Sequence, residues 1–319
     1  MYTVRGAGDR YAEPGMTPDA WRSQGDTHTV DGRRLFCVSA GAGDALLLLH
    51  AYPTASWGFH RIVPALAERF RVIAPDLLGS GFSDKPPGPV YGIDHLTDLL
   101  EGLLRRLGVD RCHILAHAYG VTTAQELMAR AIDRARGDRT AAGPGIQSAC
   151  FVNGGLFAEG TRPTATQRLL LSPLGPAIAR FAPMPYSTFR RKIGRAFGTF
   201  NPPTEEDFRA IWTLLRTNDG HLTVPYALRY LNERKTRRLR WVGALTAFSG
   251  PLCLINGAAD PVAGAGVPRI WSEALPAAML IQLDPRVGHY PPLEDPAGVL
   301  DGYARFSEES AIGSAAVVG

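Results

Sequence analysis

Short, mostly apolar runs alternate along this 319-residue chain with longer stretches that have the apolar spacing of helices. Such runs are typical of strands that a parallel sheet buries on both faces. The clearest ones lie within residues 46–49, 70–74, 149–152, 251–257 and 279–283. Strands that alternate with helices predict an α/β fold with a doubly wound, mostly parallel sheet. The functional site of such a sheet lies at the carboxyl ends of its strands.

The strand-like runs stop between residue 157 and about residue 248, where helical patterns separated by prolines and glycines replace them. These patterns lie at 166–171, 189–197, 205–216 and 226–234. We therefore expect a helical cap over the strand ends, which would exclude water and line an apolar substrate cavity. The expected organisation is an N-terminal extension at 1–24, a core at 25–156 and 249–306, a cap at 157–248, and a flexible tail at 307–319. Residues 134–145 are rich in Arg, Gly and Ala and are expected to form a flexible surface loop.

The segment 111–120 leads from an apolar run through a turn into the helical pattern at 121–130. Ala116 and Gly120 are small, as the first and fifth positions of a nucleophile elbow must be, because strand and helix pack closely there. The third position of such an elbow ordinarily carries Ser, Cys or Asp. Here that position is Ala118, which has no nucleophilic group.

Two further candidates follow the last strand-like runs. Asp260 comes after the run at 251–257, and His289 lies in a Gly-His-Tyr-Pro loop near the end of the chain. An acid behind a histidine orients the imidazole and stabilises its charged form. The structural alternatives are a turn-forming Asp before Pro261 and a packed histidine. The backbone amides of Tyr52 and Tyr119 are the candidate oxyanion donors.

These motifs resemble the α/β-hydrolase superfamily, whose chain order is nucleophile, acid, histidine. The likeness is to the branch of epoxide hydrolases and haloalkane dehalogenases, and within it to hydrolases similar to the mesoderm-specific transcript protein. It covers roughly residues 25–306 and rests on segments 76–86, 117–120, 125–127, 152–157, 218–220, 240–242 and 288–291. Elbows of these relatives usually read His-Asp-Tyr-Gly or His-Asp-Trp-Gly. The resemblance therefore implies that Ala118 replaces an aspartate.

The same resemblance implies a two-step hydrolysis. A carboxylate at position 118 would attack an electrophilic carbon, and His289 with Asp260 would activate the water that hydrolyses the resulting ester. Tyr119 and Tyr52 stand where dehalogenases of this branch hold halide with Trp and Asn, which favours an epoxide over a halide. Epoxide hydrolases protonate the opening ring with cap tyrosines. The expected substrate-binding residues are His50, Tyr186, Trp212, Tyr226 and Tyr230.

Ala118 leaves two explanations open. One is a deliberate substitution that traps substrate in an inactive enzyme. The other is a natural loss, which would leave a ligand-binding module or an enzyme that uses only His289 and Asp260 for proton transfer. Both predict negligible covalent hydrolysis. A haloalkane dehalogenase or an esterase is a further alternative.

Composition adds little to this picture. A hydrophobic fraction of 45% suffices for a sizeable core, and a net charge of +4 is mild. Basic clusters at 190–192 and 234–238 are interpreted as solvated helix faces rather than a nucleic-acid surface. The four cysteines show neither metal-site spacing nor a disulfide framework. We expect a cytoplasmic protein with a small-molecule substrate and no cofactor, metal, nucleic-acid or membrane partner. The oligomeric state stays open.

Overall fold

The computed structural model describes residues 15–138, 142–160, 164–263 and 266–312. Within them, eight strands form one sheet in the order β1-β2-β4-β3-β5-β6-β7-β8. The strands are β1 (Gly25–Val30), β2 (Arg33–Ala40), β3 (Ala45–Leu49), β4 (Arg71–Pro75), β5 (Arg111–His117), β6 (Gly145–Val152), β7 (Leu252–Asn256) and β8 (Met279–Gln282). β2 is antiparallel to β1 and β4, and the pairings from β4 to β8 are parallel. The predicted doubly wound, mostly parallel sheet is confirmed.

The hydrophobic pattern missed the first two strands, which form a hairpin at the edge of the sheet. β1 is largely exposed or half-buried, so it has no continuous apolar run. The turn residues Asp31 and Gly32 have φ values of 47° and 75°. Two consecutive positive φ values are typical of the turn that an Asp-Gly pair makes between hairpin strands. This pair was the signal that could have located the hairpin.

Fourteen α-helices accompany the sheet in the described residues. They are α1 (Pro18–Arg22), α2 (Val63–Ala67), α3 (Ile93–Arg106), α4 (Tyr119–Ala135), α5 (Ala165–Leu171), α6 (Gly175–Phe181), α7 (Tyr186–Gly194), α8 (Glu205–Arg216), α9 (Val224–Ala227), α10 (Tyr230–Thr236), α11 (Arg238–Ala247), α12 (Gly266–Ala274), α13 (Pro291–Glu294) and α14 (Pro296–Glu309). None of these helices is long and apolar enough to span a bilayer.

Two apolar clusters cover the opposite faces of the sheet. Leu47 and Leu49 of β3 belong to the cluster that includes α3 and α4, whereas Leu46 and Leu48 belong to the cluster that includes α14. All four side chains are fully buried. Because successive strand residues point to opposite faces, burial on both faces explains the unbroken apolar run.

The helical insertion between β6 and β7 ends with a helix that packs on the core. Trp241 of α11 lies in the same apolar cluster as α4, and its indole N–H donates to Glu126 Oε2 at 2.7 Å. The cap boundary expected at residue 248 therefore falls after a helix that the core holds. Apolar spacing reports that a helix has a buried face but not which neighbour covers it.

Both ends of the chain pack against the core within the described residues. In the predicted extension, Trp21 of α1 is buried and its indole N–H donates to Ser56 Oγ at 3.0 Å. At the other end α14 continues to Glu309 and Ile312 is buried, so residues 307–312 of the expected tail belong to a packed helix and the turn that follows it. The expectations for 1–14, for 139–141 within the loop at 134–145, and for 313–319 lie outside the described residues.

Candidate active site

The turn between β5 and α4 places Ala118 in a strained backbone conformation. Its φ of 48° and ψ of −100° are rare for a residue with a Cβ. The neighbouring chain is tightly packed. A Cβ on Gly120 would lie 2.3 Å from Leu49 O, and one on Gly154 would lie 2.9 Å from Ala118 Cα. The small residues of the segment are therefore required by the close approach of strand, turn and helix.

Hydrogen bonds fasten this elbow to the ends of two strands. Ala118 N–H donates to Val152 O at 3.3 Å, and Gly120 N–H donates to His50 O at 3.0 Å. These contacts put residue 118 at the carboxyl edge of the sheet, where the site was expected.

Asp260 and His289, which the sequence suggested as partners, are hydrogen-bonded to each other. His289 Nδ1 donates to Asp260 Oδ2 at 2.9 Å, and Val262 N–H donates to Asp260 Oδ1 at 2.7 Å. Burial raises the pKa of Asp260. The charge of His289, its hydrogen bond and two backbone N–H groups outweigh burial, and the net pKa lies below its usual value. An ionised Asp260 keeps the proton on Nδ1, which leaves Nε2 of His289 as the base.

Two buried residues that the sequence analysis did not select hold the His289 loop in place. Glu294 accepts the N–H groups of Gly288 at 2.8 Å and Tyr290 at 2.8 Å. Asn153 donates to Gly288 O at 2.7 Å and accepts Gly257 N–H at 2.8 Å. Asn153 therefore joins the end of β7 to the histidine loop. It lies in one of the segments that carry the family resemblance, and this was the available signal.

Two histidines beside the elbow act as neutral braces. His117 Nε2 donates to His289 O at 2.8 Å, and burial lowers the pKa of His117 from 6.5 to about 3. His50 donates from Nδ1 to Ala51 O at 2.8 Å and accepts Leu77 N–H at Nε2 at 3.0 Å. Burial also lowers the pKa of His50. Both ring nitrogens of His50 bind backbone groups, so neither is free to form a hydrogen bond with a substrate.

The backbone N–H groups of Tyr52 and Tyr119 have no acceptor within the part of the chain that the structure describes. Tyr119 is the first residue of α4, where the helix dipole favours negative charge. Both amides are thus left free for a developing oxyanion.

Tyrosine side chains gather over the elbow. The Tyr119 ring lies edge-on to Tyr230, with 4.8 Å between centroids, and edge-on to Tyr52 at 6.3 Å. The buried hydroxyls of Tyr52 and Tyr119 have no hydrogen-bond partner among the described residues, although Thr223 faces that of Tyr52. Burial raises the pKa of both hydroxyls far above the usual value. Tyr230 is thus the one predicted cap tyrosine with a described ring contact to the elbow.

The other predicted cap aromatics have different neighbours. Tyr186 packs against Trp212 at 5.7 Å, and its hydroxyl donates to the exposed Glu205 at 2.7 Å. Tyr226 stacks on Tyr91 at 6.3 Å. The described ring contacts of these three residues do not include Tyr52, Tyr119 or Tyr230, so the expectation that all of them face substrate is not supported. Helical spacing could not distinguish a cap side chain that packs against other cap residues from one that contacts the elbow.

Arg234 corrects the interpretation of the second basic cluster as a solvated face. It is only 5% exposed, and its guanidinium lies 4.6 Å from the Tyr230 ring centroid. Nε donates to Thr122 Oγ1 at 2.8 Å and Nη2 donates to Ala118 O at 3.4 Å. Lys235 is exposed, as expected of the cluster. Residue type alone could not reveal which cation of α10 faces the elbow.

Comparison with known proteins agrees with this geometry. A family model described as the alpha/beta hydrolase fold matches residues 44–142, which include the elbow. The mesoderm-specific transcript protein of Mus musculus is 38% identical over 305 residues, covering 92% of this chain and 89% of that protein. The chain belongs to the α/β-hydrolase family. The resemblance inferred from the motifs is confirmed.

Solved structures of this family share the fold. The haloalkane dehalogenase DbeA from Bradyrhizobium elkani has a TM-score of 0.72 at 22% identity, over 90% of this chain and 99% of that chain. The epoxide hydrolase CorEH without ligand has a TM-score of 0.67 at 21% identity, over 89% of this chain and 98% of that chain. At identities this low, the comparison establishes the fold alone. The reaction of this α/β-hydrolase has to be inferred from its own residues.

Proposed function

We propose that this α/β-hydrolase has the site of an epoxide-hydrolase-type enzyme whose nucleophile position is residue 118. The observation that carries the proposal is the intact pair of His289 and Asp260, 2.9 Å apart, in a loop that is fastened to the elbow. With Ala118 the chain keeps the base, the acid and two backbone N–H groups that have no acceptor among the described residues, but residue 118 has no group that can form the covalent ester. We therefore assign it ligand binding with negligible covalent turnover.

The chemistry requires a carboxylate at position 118. Its oxygen would attack an epoxide carbon, the C–O bond of the ring would break, and the Tyr230 hydroxyl would supply the proton for the departing oxygen. His289 Nε2 would then take a proton from water, which attacks the ester carbonyl between the N–H groups of Tyr52 and Tyr119. The ester breaks to release a diol and regenerate the carboxylate, and the proton on His289 passes back to Tyr230.

Hydroxyl donors around the elbow support an epoxide as the substrate. Opening an epoxide produces an alkoxide that must be protonated, whereas a departing halide needs only to be solvated. Tyr230 lies against Tyr119, which itself lies against Tyr52, so three tyrosine rings are neighbours at the elbow and can supply such a donor. Neither position 119 nor position 52 has the Trp or Asn with which related dehalogenases hold halide.

Ala118 itself favours a second candidate, a natural ligand-binding homologue without hydrolytic activity. In that case the His289 loop and its braces would serve only to hold the fold. A protein of this kind would bind its ligand without changing it, and restoring a carboxylate would not restore turnover.

The experiment that separates these functions restores the nucleophile. Ala118→Asp should hydrolyse a member of a panel of small epoxides at least about 10³-fold faster than the Ala118 protein, because a missing nucleophile costs several orders of magnitude. His289→Gln in the same variant should stop the reaction at the alkyl-enzyme, visible as added mass on the intact protein, because ester formation uses the carboxylate and the Tyr230 proton but not His289.

Two further arms use the same panel extended to haloalkanes and esters. Ala118→Ser should be the weaker variant toward epoxides, and a preference of this variant for esters would replace the proposal with an esterase. Inactivity of both variants on all three substrate classes, with retained folding, would favour the ligand-binding homologue.

A further inference from the structure

Arg234 is a buried cation that forms no ion pair with a carboxylate of the described residues. A guanidinium has five N–H donors, and those of Arg234 have two acceptors, the neutral oxygens Thr122 Oγ1 and Ala118 O. Within the described ranges no Asp or Glu forms an ion pair with it. Removing a charge from water is unfavourable unless an opposite charge or a full set of hydrogen bonds compensates it.

Other shielded arginines of this chain do have such compensation. Arg61 binds Asp207 at 2.9 Å, and Arg130 binds Glu101 at 2.9 Å and Glu126 at 3.1 Å. These side chains are more exposed than Arg234, yet each faces a buried carboxylate. The fold thus supplies counter-charges to arginines that hold it together, and Arg234 is the exception beside the elbow.

A second buried donor lies beside the elbow. The Tyr119 hydroxyl is buried without a hydrogen-bond partner among the described residues. Arg234 and Tyr119 lie against the same ring, since the guanidinium is 4.6 Å and the Tyr119 centroid 4.8 Å from the Tyr230 ring centroid. Burial, Tyr230 and the charge of Glu233 raise the pKa of the Tyr119 hydroxyl, and the charge of Arg234 opposes them. The amino end of the 17-residue helix α4 contributes its positive dipole at the same point. Next to these donors, Ala118 offers only a methyl group.

We propose that Arg234 and the Tyr119 hydroxyl form a carboxylate-binding subsite beside the elbow. A carboxylate fits because its two oxygens match the planar fork of a guanidinium and its single charge matches a single cation. The ligand is then a small carboxylic acid rather than the wholly apolar molecule expected from the sequence. If the reaction proposed above is correct, the substrate is an epoxide that carries a carboxylate; this last statement rests on that proposed function.

Binding to the Ala118 protein tests the subsite without any turnover. The probes are two matched pairs, propionate with propionamide and oxirane-2-carboxylate with oxirane-2-carboxamide, measured by isothermal titration calorimetry. We expect each carboxylate to bind about tenfold or more tightly than its amide, because a buried charge pair is lost in the amide. Arg234→Gln should abolish this preference, and Arg234→Lys should retain part of it.

Two control variants separate the subsite from a purely structural role. Lys235→Gln removes an exposed charge from the same helix and should leave the preference unchanged. Thr122→Val removes the 2.8 Å hydrogen bond that orients Arg234 but keeps its charge, so carboxylates should still bind more tightly than amides.

Equal affinities for carboxylate and amide in the Ala118 protein, or a preference that survives Arg234→Gln, would overturn the subsite. If a thermal melt shows Arg234→Gln to be unfolded, the decision moves to Tyr119→Phe, in which a preference equal to that of the parent would overturn the subsite. The two proposals fail separately. If the Ala118 protein prefers propionate to propionamide but Ala118→Asp hydrolyses no epoxide, the subsite is supported and the proposed reaction is rejected. If Ala118→Asp hydrolyses neutral epoxides but the Ala118 protein shows no preference for carboxylates, the reaction is supported and the subsite is rejected.

Discussion

The two sides of the elbow differ in how completely their polar groups are satisfied. On the histidine side, His289, Asp260 and His117 are joined by hydrogen bonds of 2.8–2.9 Å, and Asn153 and Glu294 hold the loop. On the tyrosine side, the buried Tyr119 hydroxyl and most N–H groups of Arg234 have no acceptor in the described chain.

This difference distinguishes what the protein completes by itself from what it leaves to a ligand. A base must be oriented before substrate arrives, and its partners are therefore supplied by the fold. Donors that bind a charged group of the ligand must keep their hydrogen bonds available. If protein acceptors occupied them, they could no longer bind the ligand. The unsatisfied side is thus the one that a ligand is expected to stabilise.

The largest expected effect tests the histidine side. In the Ala118→Asp variant, Asp260→Asn should lower turnover by about 10⁴-fold, because an amide at this position favours the wrong tautomer of the imidazole. The alkyl-enzyme should accumulate in intact-mass spectra. Asp301→Asn, an exposed change in α14, is the control, and a comparable loss there would show that the effect is not specific to the pair.

The pH dependence of stability should also come from the histidine side. His117 stays neutral in the folded protein down to a pKa of about 3, whereas the unfolded chain takes up a proton near 6.5. Between these values the unfolded state binds more protons, so stability falls as the pH is lowered, by about 1.4 kcal/mol per pH unit for this group. Above pH 6.5 and below about pH 3 the group contributes no slope.

Denaturant titrations of the parent and His117→Gln from pH 7 to pH 4.5 measure this slope. The parent should be steeper by about one proton, and the partly exposed His28, changed to Gln, is the control. Identical slopes in the parent and His117→Gln would mean that His117 is not held neutral by burial.

A smaller effect is expected at Asn153. Asn153→Gly removes both hydrogen bonds that join β7 to the histidine loop while permitting the φ of 51°. Leaving Gly288 O and Gly257 N–H without partners should lower the free energy of unfolding by roughly 1–3 kcal/mol. Asn218→Gly is the matched control, since Asn218 has a φ of 50° but is exposed. Equal losses in the two variants would contradict the bracing role.

The smallest effect, and the sharpest contrast, is expected on the tyrosine side. Tyr119→Phe removes a buried hydroxyl without a partner and should change the ligand-free stability by less than about 1 kcal/mol, in the stabilising direction. Tyr290→Phe, which loses a 3.2 Å hydrogen bond to Tyr52 O, should instead destabilise by about 0.5–1.5 kcal/mol. Thermal melts of both variants measure these changes. A clearly lower melting temperature of Tyr119→Phe than of the parent would mean that the Tyr119 hydroxyl already has a hydrogen-bond partner.

Much of the sheet and part of the site could be predicted because their signals are local. Leu46–Leu49 form a continuous apolar run since both of their faces are buried, and Gly120 is small since its neighbour leaves no space. Arg234, Asn153 and Glu294 could not be selected in the same way. Each acts on residues far away in the sequence, and its chemical type is as common on a protein surface as in a site.

The sequence by itself determined the α/β architecture, the strained elbow with Ala118, and the order in which Asp260 and His289 follow it, because apolar runs and turn residues report their own burial and backbone geometry. The tertiary structure alone decided that α11 packs on the core and that Tyr230 rather than Tyr186 or Tyr226 contacts the elbow tyrosines. It also decided that Arg234 is buried beside the elbow. Such facts depend on contacts between segments that are far apart in the sequence, and no short stretch of the chain determines those contacts.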